Sequence, residues 1–222
     1  MGSTSGTRYD LIVKKNLVVI DHPLVKRDLT ILRDRETPSN IFRTVLRRTA
    51  SLMAYEVTRD LIVERHTVMS PLERTAGHRV RHPIVLVPIL RAGLGLVGGF
   101  VEVLPDARVG HIGLYRDEDT LKPVDYYAKF PRNLGKALTL ILDPMLATGG
   151  SAVAAVTFLK NKGAKNIRFV CLVAAPEGVK LLSTYHPKVT IYACSLDRKL
   201  NARGYILPGL GDAGDRIFGT GE

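Results

Sequence analysis

Apolar and polar residues alternate in blocks over roughly the second half of the chain. Strand-like, mostly apolar runs span residues 84–90, 109–115, 138–142, 167–174 and 189–193, and the run at 84–90 is continuously apolar, as expected of a strand covered on both faces. Between them lie segments with helical periodicity, near residues 95–103, 152–162 and 177–185. This alternation predicts an α/β core over residues 84–194, with a mostly parallel five-stranded sheet flanked by helices. At 222 residues, we expect one domain.

The pattern before this core predicts an N-terminal helical segment. Residues 17–20 predict a short strand, and a long helix is predicted from Ser39 or Asn40 to about His66, with Ser39 as its cap. The polar face of this helix carries Arg43, Arg47 and Arg48, which indicates either a solvated face or an anion site or subunit contact. Residues 67–83 are expected to wrap the domain edge, and residues 1–7 to form a flexible leader.

Two further stretches do not fit the regular alternation. Residues 116–132 are polar and are interpreted as an arm that leaves the sheet, which is either a mobile surface loop or a hood or subunit contact. Residues 197–222 contain repeated glycines that break helices and strands, yet they remain too apolar for a disordered tail. We therefore expect an ordered loop that brings its backbone close to a ligand.

The stretch LTLILDPMLATGGS, residues 138–151, is a candidate phosphate site. An apolar strand ends at Asp143, and a loop containing Thr148, Gly149, Gly150 and Ser151 leads into the next helix. Backbone N–H groups and hydroxyls at such a position bind anions. The alternative is a plain glycine turn with Ser151 as the helix cap. No lysine follows Gly150, so the Walker A pattern is absent and a P-loop nucleotide hydrolase is disfavoured.

The composition limits the classes of partner that the protein is expected to bind. The net charge is +11, from 32 basic and 21 acidic residues, which suggests either nucleic acid or a phosphorylated small molecule. Aromatic residues make up only 6%, so stacking platforms for single strands are not evident and nucleic acid is disfavoured. Cys171 and Cys194 lie in apolar runs and are interpreted as buried small residues. No apolar run suggests a membrane span or a signal core, so a cytoplasmic location is expected.

A family resemblance is carried by VPILRAGLG (87–95), LYRDE (114–118), LILDPMLATGGS (140–151) and GYILPGLGDAGDRIFGT (204–220). Together these stretches resemble the uracil phosphoribosyltransferases, which have the type I phosphoribosyltransferase fold. The similarity runs from about residue 22 to the C-terminus. The glycine-rich tail is its most specific part, because other type I members close the base site differently. Pro144 replaces a second acidic residue of many type I members, and proline is usual there in the uracil family.

The resemblance implies a pentosyltransferase of pyrimidine salvage. Uracil and 5-phospho-α-D-ribose 1-diphosphate (PRPP) would give uridine monophosphate (UMP) and diphosphate, with Mg²⁺ bound mainly through PRPP or diphosphate. It also implies a C-terminal hood over the base, a homo-oligomer and, by analogy with some relatives, GTP as an effector, for which Arg33, Arg43 and Arg47 are candidate contacts.

The resemblance also assigns residues. Arg91 and Arg116 would bind the diphosphate side, and Asp212 would reach PRPP or its metal. With Asp143 at the ribose hydroxyls, these are the candidate catalytic residues. The remaining PRPP contacts would be Pro144, Met145, Leu146, Ala147, Thr148, Gly149, Gly150 and Ser151. Uracil would contact Ile206, Gly211, Asp212 and Ala213, and no metal ligand is assigned.

Two other functions remain open at this point. One is a type I phosphoribosyltransferase that acts on another base or has a regulatory RNA-binding role. The other is a sensor of sugar phosphates or nucleotides on the same fold. Neither explains why the uracil-type tail accompanies the Asp143 loop.

Overall fold

The computed structural model describes residues 12–14, 16–116 and 123–221, and for residues 12–14, 114–116 and 123–126 it describes the backbone alone. The first half contains strands β1 and β2, helices α1 and α2, strands β3 to β5 and helix α3: Ile12–Lys14, Leu17–Val19, Pro23–Arg33, Ser39–Val57, Val63–Met69, Arg74–Val80, Ile84–Leu90 and Leu94–Val103. The predicted leader, residues 1–7, lies outside the described residues.

Strands β6 to β10, a short 3-10 helix and helix α4 follow. Strands β6, β7 and β8 span Arg108–Val109, His111–Arg116 and Pro123–Lys129. A short 3-10 helix (Leu134–Lys136) precedes β9, β10 and α4, at Leu138–Leu142, Met145–Leu146 and Gly150–Asn161. The chain ends with β11, α5, β12, β13, β14 and α6, at Asn166–Ala174, Pro176–Tyr185, Thr190–Leu196, Lys199–Leu200, Ile206–Leu207 and Ala213–Phe218.

The main sheet has the strand order β1-β2-β12-β11-β9-β5-β7-β8. The five predicted core strands β12, β11, β9, β5 and β7 are parallel neighbours, which confirms the mostly parallel sheet. The predicted count of five was too low, because within the described residues the sheet has ten strands. Strand β2 adds a sixth parallel strand to this order, and β1 and β8 pair antiparallel at its two ends.

Two apolar layers cover the sheet. One face packs against α1, α2, α3 and α6, through residues such as Phe42, Leu46, Phe100 and Ile217. The opposite face packs against α4 and α5, through Val156, Leu159 and Leu182. Because both faces are covered, the central strands are apolar at nearly every position, which is why the pattern of the sequence located them.

The long N-terminal helix is shorter than predicted. Helix α2 ends at Val57, where the Thr58 hydroxyl donates to the Ala54 carbonyl at 2.7 Å, and no side chain caps its start at Ser39. Residues 63–69 instead pair with 74–80 as an antiparallel hairpin, so the helix prediction to His66 was wrong. The β-branched residues Val63, Thr67 and Val68 favour strand over helix here.

The segment predicted as an arm, residues 116–132, also contains regular structure. Strand β8 pairs antiparallel with β7, with Tyr115 opposite Val124 and Ile112 opposite Ala128. The interpretation as an irregular excursion was therefore wrong for residues 123–129, because their backbone groups complete the edge of the sheet. Residues 117–122 lie outside the described residues.

Candidate functional site

The loop after β9 is fixed to the sheet before it reaches the next helix. The Asp143 N–H donates to the Val170 carbonyl at 3.1 Å, and Met145 and Leu146 form strand β10 against β11. Gly149 has φ of 88°, a left-handed conformation that glycine adopts without strain, and α4 begins at Gly150. Gly149, and not Ser151, therefore occupies the cap position.

This loop surrounds a small cavity of about 80 Å³, which is lined by Asp143, Met145, Leu146, Ala147, Thr148, Gly149, Ser151 and Ala152. Helix α5 supports the loop from behind. A Cβ atom at Gly178 would lie 2.4 Å from the Ala147 carbonyl oxygen, and one at Gly149 would lie 2.9 Å from the Gly178 oxygen. The backbones of the loop and of α5 thus touch directly. Sequence reasoning missed Gly178, whose signal is a glycine inside a predicted helix.

Asp143 is the titratable group of this loop. Its Oδ1 accepts a hydrogen bond from the Met145 N–H at 3.3 Å. Although part of the residue remains accessible to solvent, burial raises the pKa of the Asp143 carboxyl to about 7. Without a cation nearby, this carboxyl is therefore protonated in an appreciable fraction of molecules at neutral pH.

The turn after β5 lies beside the end of β9. A Cβ atom at Gly93 would lie 2.3 Å from the Leu142 carbonyl oxygen, so only glycine allows this close packing. The same turn carries Arg91, whose Nη2 lies 3.7 Å from Asp215 Oδ1 and whose guanidinium lies 5.8 Å from the centre of the Phe218 ring. Arg91 is thus close to the C-terminal tail.

Arg116 ends strand β7 at the same edge of the sheet. Strand β7 runs parallel to β5, and Leu90 pairs with Gly113, so the backbones of Arg91 and Arg116 leave the sheet in the same direction. The side chain of Arg116 lies outside the described residues.

The C-terminal tail is held by a buried ion pair. Arg33 Nη1 and Nη2 donate to the two carboxylate oxygens of Asp197 at 2.8 and 2.6 Å, and Ser195 Oγ and the Gly209 N–H donate to the same carboxylate. Burial opposes ionisation, but these hydrogen bonds together hold the pKa of Asp197 below its usual range. Arg33 also donates to the Gly209 carbonyl at 2.8 Å, so the pair fixes the turn after β14.

The predicted uracil contacts lie in the ordered part of this tail. Ile206 and Ala213 are buried, Gly211 has φ of 74°, and Asp212 caps helix α6 by accepting from the Asp215 N–H at 3.0 Å. The expectation that glycines exclude regular structure was wrong here, because this segment contains β13, β14 and α6. The expectation of an ordered segment is confirmed.

The three predicted regions meet at one edge of the sheet. A Cβ atom at Gly214 would lie 3.9 Å from Arg91 Nη2, and one at Gly204 would lie 3.8 Å from Thr148 Cγ2. The tail therefore touches both the Arg91 turn and the phosphate loop. Asp197, Asp215 and Phe218 are contacts within this region that sequence reasoning missed, because their partners are distant in the sequence.

The arginines of the first helices have partners within the chain. Arg47 pairs with Glu102, Arg48 donates to both oxygens of the buried Asp28, and Arg43 donates to the Ile217 carbonyl at 2.9 Å. Although burial opposes ionisation of Asp28, the hydrogen bonds and charges of Arg48 and Arg27 hold its pKa below the usual range. These guanidinium groups fasten α2 to α1, α3 and α6.

Cys171 and Cys194 are free and buried, and burial raises the pKa of the Cys194 thiol to about 12. Both thiols are therefore protonated at neutral pH, in agreement with their interpretation as small core residues.

Within residues 16–116 and 123–221, the helices are all too short or too polar to span a bilayer.

Solved structures share this architecture and define the fold. The structure of the AQ2163 protein from Aquifex aeolicus matches with a TM-score of 0.86 and 36% identity, over 91% of this chain and 97% of that one. A hypoxanthine-guanine phosphoribosyltransferase from Bacillus anthracis shares the fold, with a TM-score of 0.50 and 14% identity over 72% and 80% of the two chains. The parallel sheet, with the Asp143 loop at its carboxyl edge, is that of a type I phosphoribosyltransferase.

Relatives in sequence give the particular family. The sequence model described as uracil phosphoribosyltransferase matches residues 19–220. A uracil phosphoribosyltransferase from Finegoldia magna is 57% identical over 205 residues, which are 92% of this chain and 98% of that protein. One from Salinibacter ruber is 52% identical over 208 residues, 94% and 99% of the two chains. The chain belongs to the uracil phosphoribosyltransferase family, as the four stretches predicted.

Proposed function

We propose that this protein transfers the 5-phosphoribosyl group of PRPP to N1 of uracil, giving UMP and diphosphate. The bond between ribose C1 and the diphosphate oxygen breaks, the bond between C1 and N1 forms, and the N1 proton leaves to solvent or to the diphosphate. The observation that carries the proposal is the meeting of the Asp143 loop, the Arg91 turn and the glycine-rich tail at one edge of the sheet.

The Asp143 loop is proposed to bind the ribose 5-phosphate. Residues 147–151 would surround the phosphate with backbone N–H groups and with the hydroxyls of Thr148 and Ser151. Asp143, at the base of the 80 Å³ cavity, would accept hydrogen bonds from the ribose hydroxyls. Met145 and Leu146 would fix the loop through their pairing with β11, and Pro144 through its carbonyl, which accepts from the Leu172 N–H at 2.9 Å.

Arg91 and Arg116 are proposed to bind the diphosphate. Departure of diphosphate concentrates negative charge on the leaving group while positive character develops on the ribose. Two guanidinium groups at this position would stabilise the leaving group, because their planar forks match phosphate oxygens. Catalysis would then come mainly from positioning and from electrostatic stabilisation.

Mg²⁺ is proposed to enter the site with the substrate. Among the described residues, no group of three or more His, Cys, Asp or Glu side chains is arranged to hold a metal ion. Mg²⁺ commonly binds through substrate phosphates, water and one or two carboxylates, and Asp212 would supply such a carboxylate. When bound, the ion would supply neutralisation of charge on the diphosphate.

The tail is proposed to select uracil through its backbone. A backbone N–H facing O4 and a carbonyl facing N3–H would accept uracil and reject cytosine, which presents a donor and an acceptor reversed. Gly211 has φ of 74°, so a branched side chain would distort this backbone. We expect Gly211→Val to raise the KM for uracil about tenfold or more and to leave the KM for PRPP nearly unchanged. Normal uracil affinity in this variant would contradict the backbone contact.

We also propose a cytoplasmic homo-oligomer. Hairpin β3–β4 is strongly exposed and carries the apolar residues Val68, Met69 and Leu72 on its surface, with Leu72 95% exposed. Isolated two-stranded hairpins are marginally stable in water, so burial against a second copy would stabilise this one. Sedimentation of Met69→Ser/Leu72→Ser should show smaller assemblies than the parent, and unchanged assembly would contradict this contact.

The proposed cytoplasmic location agrees with the two free cysteines, because thiols are kept reduced in the cytoplasm.

GTP is retained as a proposed effector. Its candidate contacts Arg33, Arg43 and Arg47 have partners inside the chain, so a GTP phosphate would compete with Asp197, with the Ile217 carbonyl or with Glu102. Initial rates with and without GTP test this proposal. Equal rates at saturating substrates, together with equal KM values, would exclude it.

The deciding experiment mixes the purified protein with PRPP and Mg²⁺ and with uracil, cytosine, hypoxanthine or orotate in turn. We expect UMP from uracil and little nucleotide from the other bases. Absence of UMP would refute the proposed function. Nucleotide from another base would favour a different type I phosphoribosyltransferase, and PRPP binding without any turnover would favour a sensor.

A further inference from the structure

Arg91 lies against helix α6 of the C-terminal tail. Its Nη2 is 3.7 Å from Asp215 Oδ1, and its guanidinium lies 5.8 Å from the centre of the Phe218 ring. Both partners belong to helix α6, which begins at the proposed uracil contact Ala213, directly after Gly211 and Asp212. A residue proposed for the diphosphate therefore already touches the element proposed for the base.

Asp215 is the firmer member of this pair. Its Oδ1 accepts from the Thr220 hydroxyl at 2.7 Å, and its carbonyl accepts from the Gly219 N–H at 2.7 Å. Its own N–H donates to Asp212 Oδ1 at 3.0 Å, which joins it to the proposed substrate contact. The carboxylate is thus oriented by α6, whereas the Arg91 side chain is 61% exposed and free to adjust.

We propose that Asp215 is a positioning residue that couples the diphosphate site to the uracil site through Arg91. This inference rests on the proposed function. Diphosphate bound to one edge of the guanidinium leaves the other edge for Asp215, because the fork carries five N–H donors. Arg91 then bridges diphosphate and α6, which fixes Asp212 and Ala213 for the base. Uracil binds more tightly once the bridge exists.

The geometry sets the size of this coupling. The Arg91–Asp215 pair is exposed, and its N–O distance is longer than a hydrogen bond. Such pairs contribute little free energy by themselves, so Asp215 does not prevent Arg91 from binding diphosphate. We expect the presence of diphosphate to raise uracil affinity about two- to fivefold, the range that an exposed charge pair supports. By linkage, uracil raises diphosphate affinity by the same factor.

The test is calorimetric titration of uracil with and without Mg²⁺-diphosphate, a combination that lacks ribose and cannot react. The parent protein should show the two- to fivefold ratio, and Asp215→Asn should show a ratio near one. Asparagine keeps the oxygen that accepts from Thr220, so α6 should remain folded. Asp215→Glu should restore part of the ratio, which a purely structural role would not explain.

A matched control removes another exposed carboxylate that pairs with arginine. Glu36 lies 2.9 Å from Arg35, both side chains are strongly exposed, and neither contacts Arg91, so Glu36→Gln should keep the parent ratio. A full ratio in Asp215→Asn, or a ratio of one in the parent, would overturn the coupling. UMP formation by the same parent preparation separates the two failures: no UMP refutes the function, whereas UMP without coupling refutes the role of Asp215 alone.

Discussion

The phosphate loop and the C-terminal tail are two halves of one proposed site, but they are built in different ways. Residues 143–151 are fixed by elements that are close in the sequence, namely β11 and α5. The tail is fixed by contacts with residues more than 160 positions away: Arg33 binds Asp197, and Arg216 of the tail donates to the Leu32 and Asp34 carbonyls. The phosphate half is therefore held by contacts that are local in the sequence, whereas the base half is held by contacts with the N-terminal helices.

Arg216 shows how the tail uses these helices as a platform. Its guanidinium also donates to the Leu210 carbonyl at 2.9 Å and lies 4.5 Å from the centre of the Phe42 ring on α2. Burial lowers the pKa of Arg216, yet the group remains charged because arginine titrates far above neutral pH. Helices α1 and α2 thus hold the segment that carries the proposed base contacts.

The largest effect is expected from Arg33→Ala, which breaks the base half. It leaves the Asp197 carboxylate buried without its cation, and loss of one partner of a buried pair costs about 3–5 kcal/mol of unfolding free energy. The KM for uracil should rise at least tenfold, whereas the KM for PRPP should change little. Chemical denaturation and steady-state kinetics measure both quantities.

Arg35→Ala is the matched control for this variant. Arg35 is 92% exposed and pairs with the exposed Glu36, so its loss should cost at most about 1 kcal/mol and leave both KM values unchanged.

The pKa of Asp197 is lowered on folding, so its contribution is present above the unfolded pKa of about 4 and is lost as pH falls. The stability difference between Arg33→Ala and the parent should shrink on acidification, and a pH-independent difference would contradict the ion pair.

A second effect concerns Asp143 in the phosphate half. Its pKa is about 7 in the folded chain and about 4 when unfolded, so the neutral carboxyl stabilises the fold fully below pH 4 and less as pH rises through 7. Relative to Asp143→Asn, the ligand-free parent should lose stability as pH rises from about 4 to 7, by at most about 1.4 kcal/mol per pH unit. Thermal unfolding from pH 4 to 8 measures the difference, and parallel curves would contradict the buried carboxyl.

Turnover of Asp143→Asn should fall strongly, and unchanged turnover would remove Asp143 from the catalytic residues.

A smaller effect on stability is expected from Gly149→Ala in the phosphate loop. The new Cβ would meet the Gly178 carbonyl oxygen at 2.9 Å in a left-handed conformation, which together should cost about 1–3 kcal/mol. The KM for PRPP should rise about tenfold or more, with little change for uracil. Gly163→Ala is the control, because φ is 91° there but nothing lies within 4 Å. It should cost about 1–2 kcal/mol and leave the kinetics unchanged.

The phosphate half was predictable from the sequence because its signals are local. An apolar run, an aspartate and a pair of glycines before a helical pattern located β9, the loop and α4 within a residue or two. The exception was the cap at Gly149, since the pattern does not distinguish a left-handed glycine from a serine cap two residues later. The five core strands were predictable for the same reason, because burial on both faces leaves a continuous apolar run.

The scaffold of the base half was not predictable from the sequence. Nothing near Asp197 indicates that its partner is Arg33, and nothing near Arg91 indicates Asp215, because these pairs exist only after the chain has folded.

Two elements outside the proposed site were also missed. The hairpin at residues 63–80 was missed because its exposed strands lack an apolar run, and β8 was missed because its polar residues resemble a loop. In both cases, backbone pairing with the neighbouring strand decided the structure.

The most direct test of the division into two halves measures the KM for uracil and the KM for PRPP in Gly149→Ala and Arg33→Ala side by side. We expect opposite selectivity: Gly149→Ala should raise the KM for PRPP at least five times more than that for uracil, and Arg33→Ala should raise the KM for uracil by at least the same margin. Equal changes in both constants, or the same constant rising in both variants, would contradict a locally built phosphate half and a base half held by the N-terminal helices.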